Sequence, residues 1–568
     1  MEVFFAYIEN ISGFIWGGAW NGEQVWQVGP LTALLLLTGV YFMLRLGFLP
    51  FRRLFPALGE AWRGRKAQGE GGAITPWQAL STALSGQVGT GNLAGVATAI
   101  TLGGPGAIFW MWVTALLGMA SAFAESSLSV HYRETHPVTG RVHGGPMYYI
   151  KNGLNKGKSK FGGLWGWLAV LFCLGTIFSA IATGGMIQAN SIAQAAGEVA
   201  RTLDYDLKPW VVGLILAGLT FAVIIGGIKS IGSVAGKVVP LMAALYVASA
   251  LVVIFLHVQY VPAAFAMIFS HAFGLEQAAG GAAGYGVLMA IRYGVARGLF
   301  SNEAGQGSTP MAHGVASTAN PVMQAEIAMI GVFIDTIVIC TMTALVLLTV
   351  PGDFKRSEAR QAADYCVAEE LMTVPTNEAL TDIFPSAYAI NRAAIIEKRG
   401  PEARGLLETC AANGGTVSQS ALAAASADIV EKVRFAWQTD AEASAITTRA
   451  FAAGIPGGQW IVAVSLFLFA FTTIIGWSFY AETAASYLFG ERAIFPIRYI
   501  WVGIVFVGAV IADADLMARL GLDNTGNITA NLWRLGDIGN ASMALPNLVA
   551  ILLMSGTVIA LAKQYGRK

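Results

Sequence analysis

Charged side chains are scarce in this 568-residue chain: 12% are Asp, Glu, Lys or Arg, against about a quarter in an ordinary soluble protein. Acids and bases nearly cancel to a formal net charge of +1, so there is no basic footprint for nucleic acid. Cysteine is rare as well. Its four copies, Cys173, Cys340, Cys366 and Cys410, include no Cys-x-x-Cys pair of the kind that holds zinc or does redox work. The six His do not cluster, and no constellation at nucleophile or metal spacing points to an enzyme. Residues 1–44 lack Lys and Arg, so the charged start of a secretory signal is missing and the membrane address is expected to come from the spans themselves. There is no Gly-Lys-Ser/Thr phosphate loop. What remains is apolar: 55% of residues are hydrophobic, 67 are Gly, and the mean hydropathy is +0.59.

Apolar runs of roughly 17–25 residues match the length of helix needed to cross about 30 Å of hydrocarbon. Eleven are expected, near 29–49, 77–101, 106–130, 164–195, 210–228, 238–258, 284–312, 324–350, 458–488, 495–512 and 546–563. The amphipathic stretch 525–544 reads as a helix lying along the interface. The fold class is therefore an all-α integral membrane protein. Sorting loop charges by alternation puts nineteen Lys and Arg on one face and four on the short loops of the other. Retention of Lys and Arg in the cytoplasm then predicts the N-terminus outside and the C-terminus inside.

Residues 351–457 break the pattern, with fourteen acids and ten bases in an Ala-rich polar run. They are expected to form a helical extracytoplasmic domain inserted into the transmembrane domain of 1–350 and 458–568. Cys366 and Cys410 both lie there. A disulfide between them would close a loop of roughly 45 residues, contributing up to about 4 kcal/mol by the chain-entropy relation, and two unpaired thiols are the alternative.

Two spans are interrupted at mid-depth. The second contains Ser85-Gly86-Gln87-Val88-Gly89-Thr90-Gly91-Asn92, and the seventh Phe300-Ser301-Asn302-Glu303-Ala304-Gly305-Gln306-Gly307-Ser308. Glycine and amide residues favour helix poorly, and unwound backbone at that depth persists only where it lines a cavity or is buried in protein. Glycines that simply let helices cross closely are the alternative. The position of the two runs favours the first reading, because they open successive groups of five spans once the first span is set aside. Interruptions at corresponding places of two halves are the sequence mark of an inverted-repeat transporter with its substrate at the midplane. Freed helix-end N–H groups suit an anion and freed carbonyls a cation. A zwitterion with a hard monovalent cation is the natural pair of ligands. Gly89-x-Gly91-x-x-Ala94 imitates a dinucleotide fingerprint but lacks the strand before it.

Ionisable residues inside spans are functional candidates by default. Glu125, Arg297 and Glu482 are assigned structural or gating roles, Arg292 lies beside the second break, and Glu303 and Asp335 are candidates for ion coupling, where a proton could replace sodium.

The run Gly103-Gly104-Pro105-Gly106-Ala107-Ile108-Phe109-Trp110-Met111-Trp112, continuing to Gly118, resembles the signature of the alanine or glycine:cation symporter family. The resemblance extends through Gly89-Thr90-Gly91-Asn92, His143-Gly144-Gly145-Pro146-Met147-Tyr148-Tyr149 and Gly298-Leu299-Phe300-Ser301-Asn302-Glu303-Ala304-Gly305-Gln306-Gly307-Ser308, and covers most of 30–350 and 458–565. It implies sodium-coupled uptake of small neutral amino acids, alanine or glycine, on the five-plus-five inverted-repeat fold shared with the neurotransmitter:sodium symporters, here with one extra N-terminal helix. No cofactor is implied beyond Na⁺ as coupling ion. Carried over by position, one sodium would take the Asn92 side chain, the Gln87 carbonyl and Ser301. A second would take carbonyls near Ser85 and Val88 with the hydroxyls of Thr472 and Thr473. Amides of Gly89, Thr90 and Gly91 would hold the substrate carboxylate, carbonyls around Phe300 and Ser301 its ammonium, with Gln87 assisting and Phe300 and Trp477 walling the side-chain pocket. The 107-residue insertion is longer than the family leads one to expect.

The expected function is thus a secondary active symporter in the cytoplasmic (inner) membrane. A proton-coupled symporter, and a sensor or channel on the same fold, are the alternatives.

Overall fold

The computed structural model describes residues 2–17, 19–20, 23–26, 28–66, 71–156, 163–201, 204–274, 282–350, 443–519 and 525–565. Cys366 and Cys410, and nearly all of the inserted segment, lie outside the described residues.

The described chain is helical apart from two short hairpins. A short helix, α1 (Glu2–Ser12), precedes the first span, α2 (Pro30–Arg45), which turns through 82° into α3 (Leu49–Arg63). Then come the broken pair α4 (Pro76–Gln87) and α5 (Ala94–Gly103), followed by α6 (Gly106–His131). One long helix, α7, joins Leu164–Ser179, a π-helical stretch Ala180–Met186 and Ile187–Arg201. α8 (Pro209–Ile224), α9 (Gly227–Leu256) and the short apolar α10 (Val261–Phe273) lead to the second broken pair, α11 (Ala282–Asn302) and α12 (Thr309–Gly314). α13 (Pro321–Thr349) carries a π-helical stretch at Phe333–Cys340. The remainder is α14 (Ala443–Gly454), α15 (Gly458–Phe489), α16 (Ile494–Val510), α17 (Thr525–Leu553) and α18 (Ser555–Tyr565). Among the described residues seven helices are long and apolar enough to cross a membrane, or eight if the bent α2–α3 pair counts as one.

Burial follows the expected solvent. α8, α9 and α16 expose Leu214, Ile215, Leu219, Leu241, Leu245, Phe255, Ile500 and Val507, which water would penalise and lipid would not. The interior packs Phe123, Phe172, Phe469, Tyr480 and Trp501, each fully buried, around the two broken helices.

Two expectations need correction. The last span is not 546–563: the membrane-competent stretch is Asn531–Leu553 within α17, and α18 beyond it is a separate short helix. The stretch 525–544 accordingly does not lie along the interface. Within it Asn540 accepts a hydrogen bond from the Ser179 hydroxyl, and just beyond it on the same helix Asn547 bonds Tyr149 and Glu125. The end of the 351–457 segment also joins the membrane body: α14 packs against α5 and α15, and the Thr447 hydroxyl donates to the Leu93 carbonyl at 3.2 Å.

Glu482 and Arg498 form a bidentate pair, Nε to Oε2 at 2.6 Å and Nη2 to Oε1 at 2.9 Å, while Nη1 donates to the Ile225 carbonyl at 2.7 Å. The Arg498 side chain is only 6% exposed. Glu482→Gln should therefore lower stability by about 3–5 kcal/mol, because it strands a buried guanidinium. Thermal unfolding in detergent measures the loss, and an unchanged midpoint would reject the pair as a structural tie.

Candidate functional site

The first break begins as an ordinary helix. Thr75 and Gln78 form a reciprocal cap and Pro76 sets the first turn, so α4 starts cleanly. It ends at Gln87 because the next residues supply side-chain and tertiary partners to backbone groups that a helix would have paired. The Gly89 N–H donates to Asn92 Oδ1 at 2.9 Å, and the Thr90 N–H to Gln188 Oε1 at 3.4 Å. The Val88 carbonyl accepts from the Thr473 hydroxyl at 3.2 Å, and the Asn92 carbonyl from that of Thr343 at 2.8 Å. Gly89 is required sterically: a Cβ there would stand 2.7 Å from Thr473 Oγ1.

The second break is held in left-handed backbone. Glu303 has φ of 55°, Gly305 82° and Gly307 86°. The two glycines adopt this region without penalty, but a Glu adopts it at a cost that its surroundings must offset. They do so through its carboxylate: Oε2 accepts from the Ser308 hydroxyl at 2.6 Å and Oε1 from the Trp477 indole N–H at 3.0 Å. Beneath the break, Glu125 accepts the Gly305 N–H at 3.2 Å, while the Asn547 amide bridges Glu125 (2.7 Å) and the Gly305 carbonyl (2.9 Å). Glu125 thereby ties α6, the break and α17 together.

The two breaks meet directly. Gln87 Nε2 donates to the Asn302 carbonyl at 2.6 Å, leaving its buried Oε1 without a hydrogen-bond partner among the described residues. Beside this contact Asp335 is fully buried: Oδ1 accepts from Asn92 Nδ2 at 2.6 Å, and Oδ2 from the hydroxyls of Ser301 and Thr336, both at 2.8 Å. Asn92 Nδ2 also reaches Ser301 Oγ at 3.1 Å. Neutral donors satisfy the shape of this carboxylate but leave its charge to be offset.

A cavity opens between the breaks. Gly86, Gln87, Gly89 and Gly91 line it from the first, and Phe300, Ser301, Glu303 and Gln306 from the second. Thr473 and Trp477 of α15, Thr183 and Gln188 of α7 and Asn540 of α17 complete the lining. The Trp477 indole donates to Glu303 and meets Tyr480 edge-on, and Phe300 packs 5.6 Å from Trp533.

Most of the expected site residues converge here, and some do not. Ser85 turns its hydroxyl back to the Thr82 carbonyl at 2.7 Å. Thr472 points to Met242 Sδ at 3.4 Å and the Phe469 carbonyl at 2.9 Å, away from the Val88 carbonyl that Thr473 meets. Arg297 is outside the cavity lining and interacts electrostatically with Asp537. Thr183, Gln188, Gln306 and Asn540 were not anticipated. Gln306 was marked only as part of the second break, Asn540 only as part of an amphipathic stretch, and Thr183 and Gln188 only as polar residues in an expected span, and none of these signals says which way a side chain faces.

Comparison with known proteins decides the family. The pattern of the sodium:alanine symporter family matches residues 18–389 and 386–568, nearly the whole chain. The chain belongs to the sodium:alanine symporter family. It is 36% identical over 566 residues to the sodium/alanine symporter AgcS of Methanococcus maripaludis, covering 99% of this chain and 97% of that one. It is 31% identical over 538 residues to the probable sodium/glutamine symporter GlnT of Bacillus subtilis, covering 95% and 88%. It is also 32% identical over 545 residues to the putative sodium/proton-dependent alanine carrier YrbD of the same organism, covering 95% and 90%. As a family member with several membrane-competent helices, it is a multi-pass membrane protein.

Proposed function

We propose that the protein is a secondary active symporter that couples inward sodium movement to uptake of a small neutral amino acid, alanine or glycine, by alternating access on a five-plus-five helix core. The observation that carries this reading is the pair of broken helices facing one cavity, joined through Gln87 and Asn302. The N–H groups of Gly89 to Gly91 suit a carboxylate, which would take the places of Asn92 Oδ1 and Gln188 Oε1 on Gly89 and Thr90, and carbonyls around Phe300 and Ser301 suit an ammonium. Phe300 and Trp477 narrow the side-chain pocket, and the Glu303–Trp477 bond holds the indole in place. Each extra substrate methylene changes such discrimination by only about 1–3 kcal/mol, so preference between alanine and larger residues is graded.

One sodium enters beside Ser301 and Asp335, whose oxygens suit a hard cation and whose buried carboxylate awaits one, and the Asn92 amide, which now turns Nδ2 to them, reorients to offer Oδ1. A second lies near the Ser85 and Val88 carbonyls and the Thr473 hydroxyl, with Thr472, turned to Met242, the weaker ligand. Glu125 and Arg297 act in gating. Each ligand completes the other's site, so affinities are reciprocal. One Na⁺ moving through 100 mV releases about 2.3 kcal/mol, and a tenfold gradient about 1.4 kcal/mol more. Together these sustain accumulation of several hundred-fold at tight coupling. The protein resides in the inner membrane with the N-terminus outside. Proton coupling is the second reading, favoured by the burial of Glu303 and Asp335 among neutral donors.

The test is labelled alanine uptake by proteoliposomes under an inward sodium gradient. Uptake indifferent to sodium but driven by a pH gradient would replace sodium with a proton, and uptake indifferent to both would end the coupled reading. The two threonines give a sharper contrast. Thr473→Val should raise the half-saturating sodium concentration at least about tenfold, the equivalent of one lost ligand at about 1.4 kcal/mol, and Thr472→Val should change it less. Equal effects would reject the orientation argument.

A further inference from the structure

The 82° turn between α2 and α3 lays α3 nearly across the axis of the span before it. Its sequence divides into three faces. Leu54, Ala57 and Ala61 are buried against the protein. Phe51, Phe55, Leu58 and Trp62 form an exposed apolar strip, with Phe55 78% exposed. Arg52 and Arg63 lie on the polar face, and the exposed Arg65 and Lys66 follow immediately. This segment also belongs to the side of the molecule that collects most of its Lys and Arg. An apolar strip beside a row of cations is the pattern of a helix seated at the boundary of headgroups and acyl chains.

We propose that α3 is a docking surface for anionic phospholipid, its apolar strip entering the acyl boundary and Arg52, Arg63, Arg65 and Lys66 holding the headgroup charges. Charge complementarity selects this occupant, since four exposed cations in so short a stretch favour an acidic surface over a zwitterionic one. The seat is wired to the transport core. Arg53, on the same helix, makes a bidentate pair with the buried Glu326 at 2.8 and 2.9 Å and reaches Glu60 at 3.5 Å. Glu326 lies on α13, the helix that also carries Asp335, so a lipid that fixes α3 also steadies the helix bearing the carboxylate between the breaks.

The experiment is thermal unfolding of the full chain in neutral detergent with added phosphatidylglycerol or phosphatidylcholine. Phosphatidylglycerol should stabilise the protein and phosphatidylcholine should not, with the difference fading as salt rises. In R52Q/R63Q/R65Q/K66Q the half-saturating phosphatidylglycerol concentration should rise at least about tenfold, since each surface cation contributes to attraction for an acidic membrane. The charge-preserving R52K/R63K/R65K should keep most of the response. An equal response in the glutamine variant, no response in the wild type, or loss of the response in the lysine variant would each overturn the proposal. Because the readout is lipid binding, it stands or falls separately from amino-acid uptake.

Discussion

Replacing Asp335 with Ala is expected to remove sodium-driven uptake almost entirely. The substitution takes away the acceptor of three donors, Asn92 Nδ2 and the Ser301 and Thr336 hydroxyls, all within 2.8 Å of the carboxylate. Each donor left unpaired in a buried site costs about 1–3 kcal/mol, and the charge that would balance a cation is lost with it. A fall of at least about a hundredfold in uptake at physiological sodium follows from one such penalty together with the missing charge. Asp335→Asn keeps the shape and one acceptor, so it should fold normally and still bind sodium poorly. Uptake measured against sodium concentration, beside a thermal unfolding control, separates these effects. Near-normal sodium dependence in Asp335→Asn would show that the carboxylate charge does not pair with the coupling ion.

Replacing Glu303 with Gln should be nearly as damaging, for a different reason. Both oxygens of Glu303 accept hydrogen bonds, from Ser308 and from the Trp477 indole. An amide can keep its oxygen on the indole N–H and donate its NH₂ to the Ser308 hydroxyl, which turns from donor to acceptor, but both bonds lose the charge that strengthened them. The left-handed backbone at φ of 55° is then held by weaker bonds. Since Glu303 and Trp477 both line the cavity, the wall of the substrate pocket loosens. Uptake should fall about tenfold, the size of the difference between charged and neutral buried bonds, with the half-saturating alanine concentration rising more than that for sodium. Trp477→Phe, which removes the N–H but keeps an aromatic wall, should reproduce part of the defect. If Glu303→Gln shifted the sodium dependence alone, Glu303 would be an ion ligand and not a support of the pocket.

Much of this site was readable before any fold was known. Gly89, Gly91, Gly305 and Gly307 interrupt apolar runs where few reasons for glycine exist, and the helices do stop there. Glu303 and Asp335 stood out because a carboxylate at that depth needs a purpose. The Glu125 bond to the Gly305 N–H was not legible, since it joins residues 180 positions apart. Asn540 was misplaced because polarity states only that a side chain needs a partner. Water at an interface and a serine inside the bundle satisfy the same residue in sequence terms.

Thr472 and Thr473 show where the division falls. Sequence placed two hydroxyls at one depth of α15, and composition, charge and glycine spacing by themselves determined the membrane class, the two breaks and the candidate carboxylates. Adjacent residues on a helix point about 100° apart, so only one of a pair can face a given neighbour. Tertiary packing rotates α15 until Thr473 meets the Val88 carbonyl and Thr472 meets Met242. The same packing brings Gln87 to Asn302 and Asn92 to Asp335 across 215 and 243 residues of chain. Local sequence sets which groups a segment must satisfy, and the rotation and contact of whole helices decide which partner satisfies them.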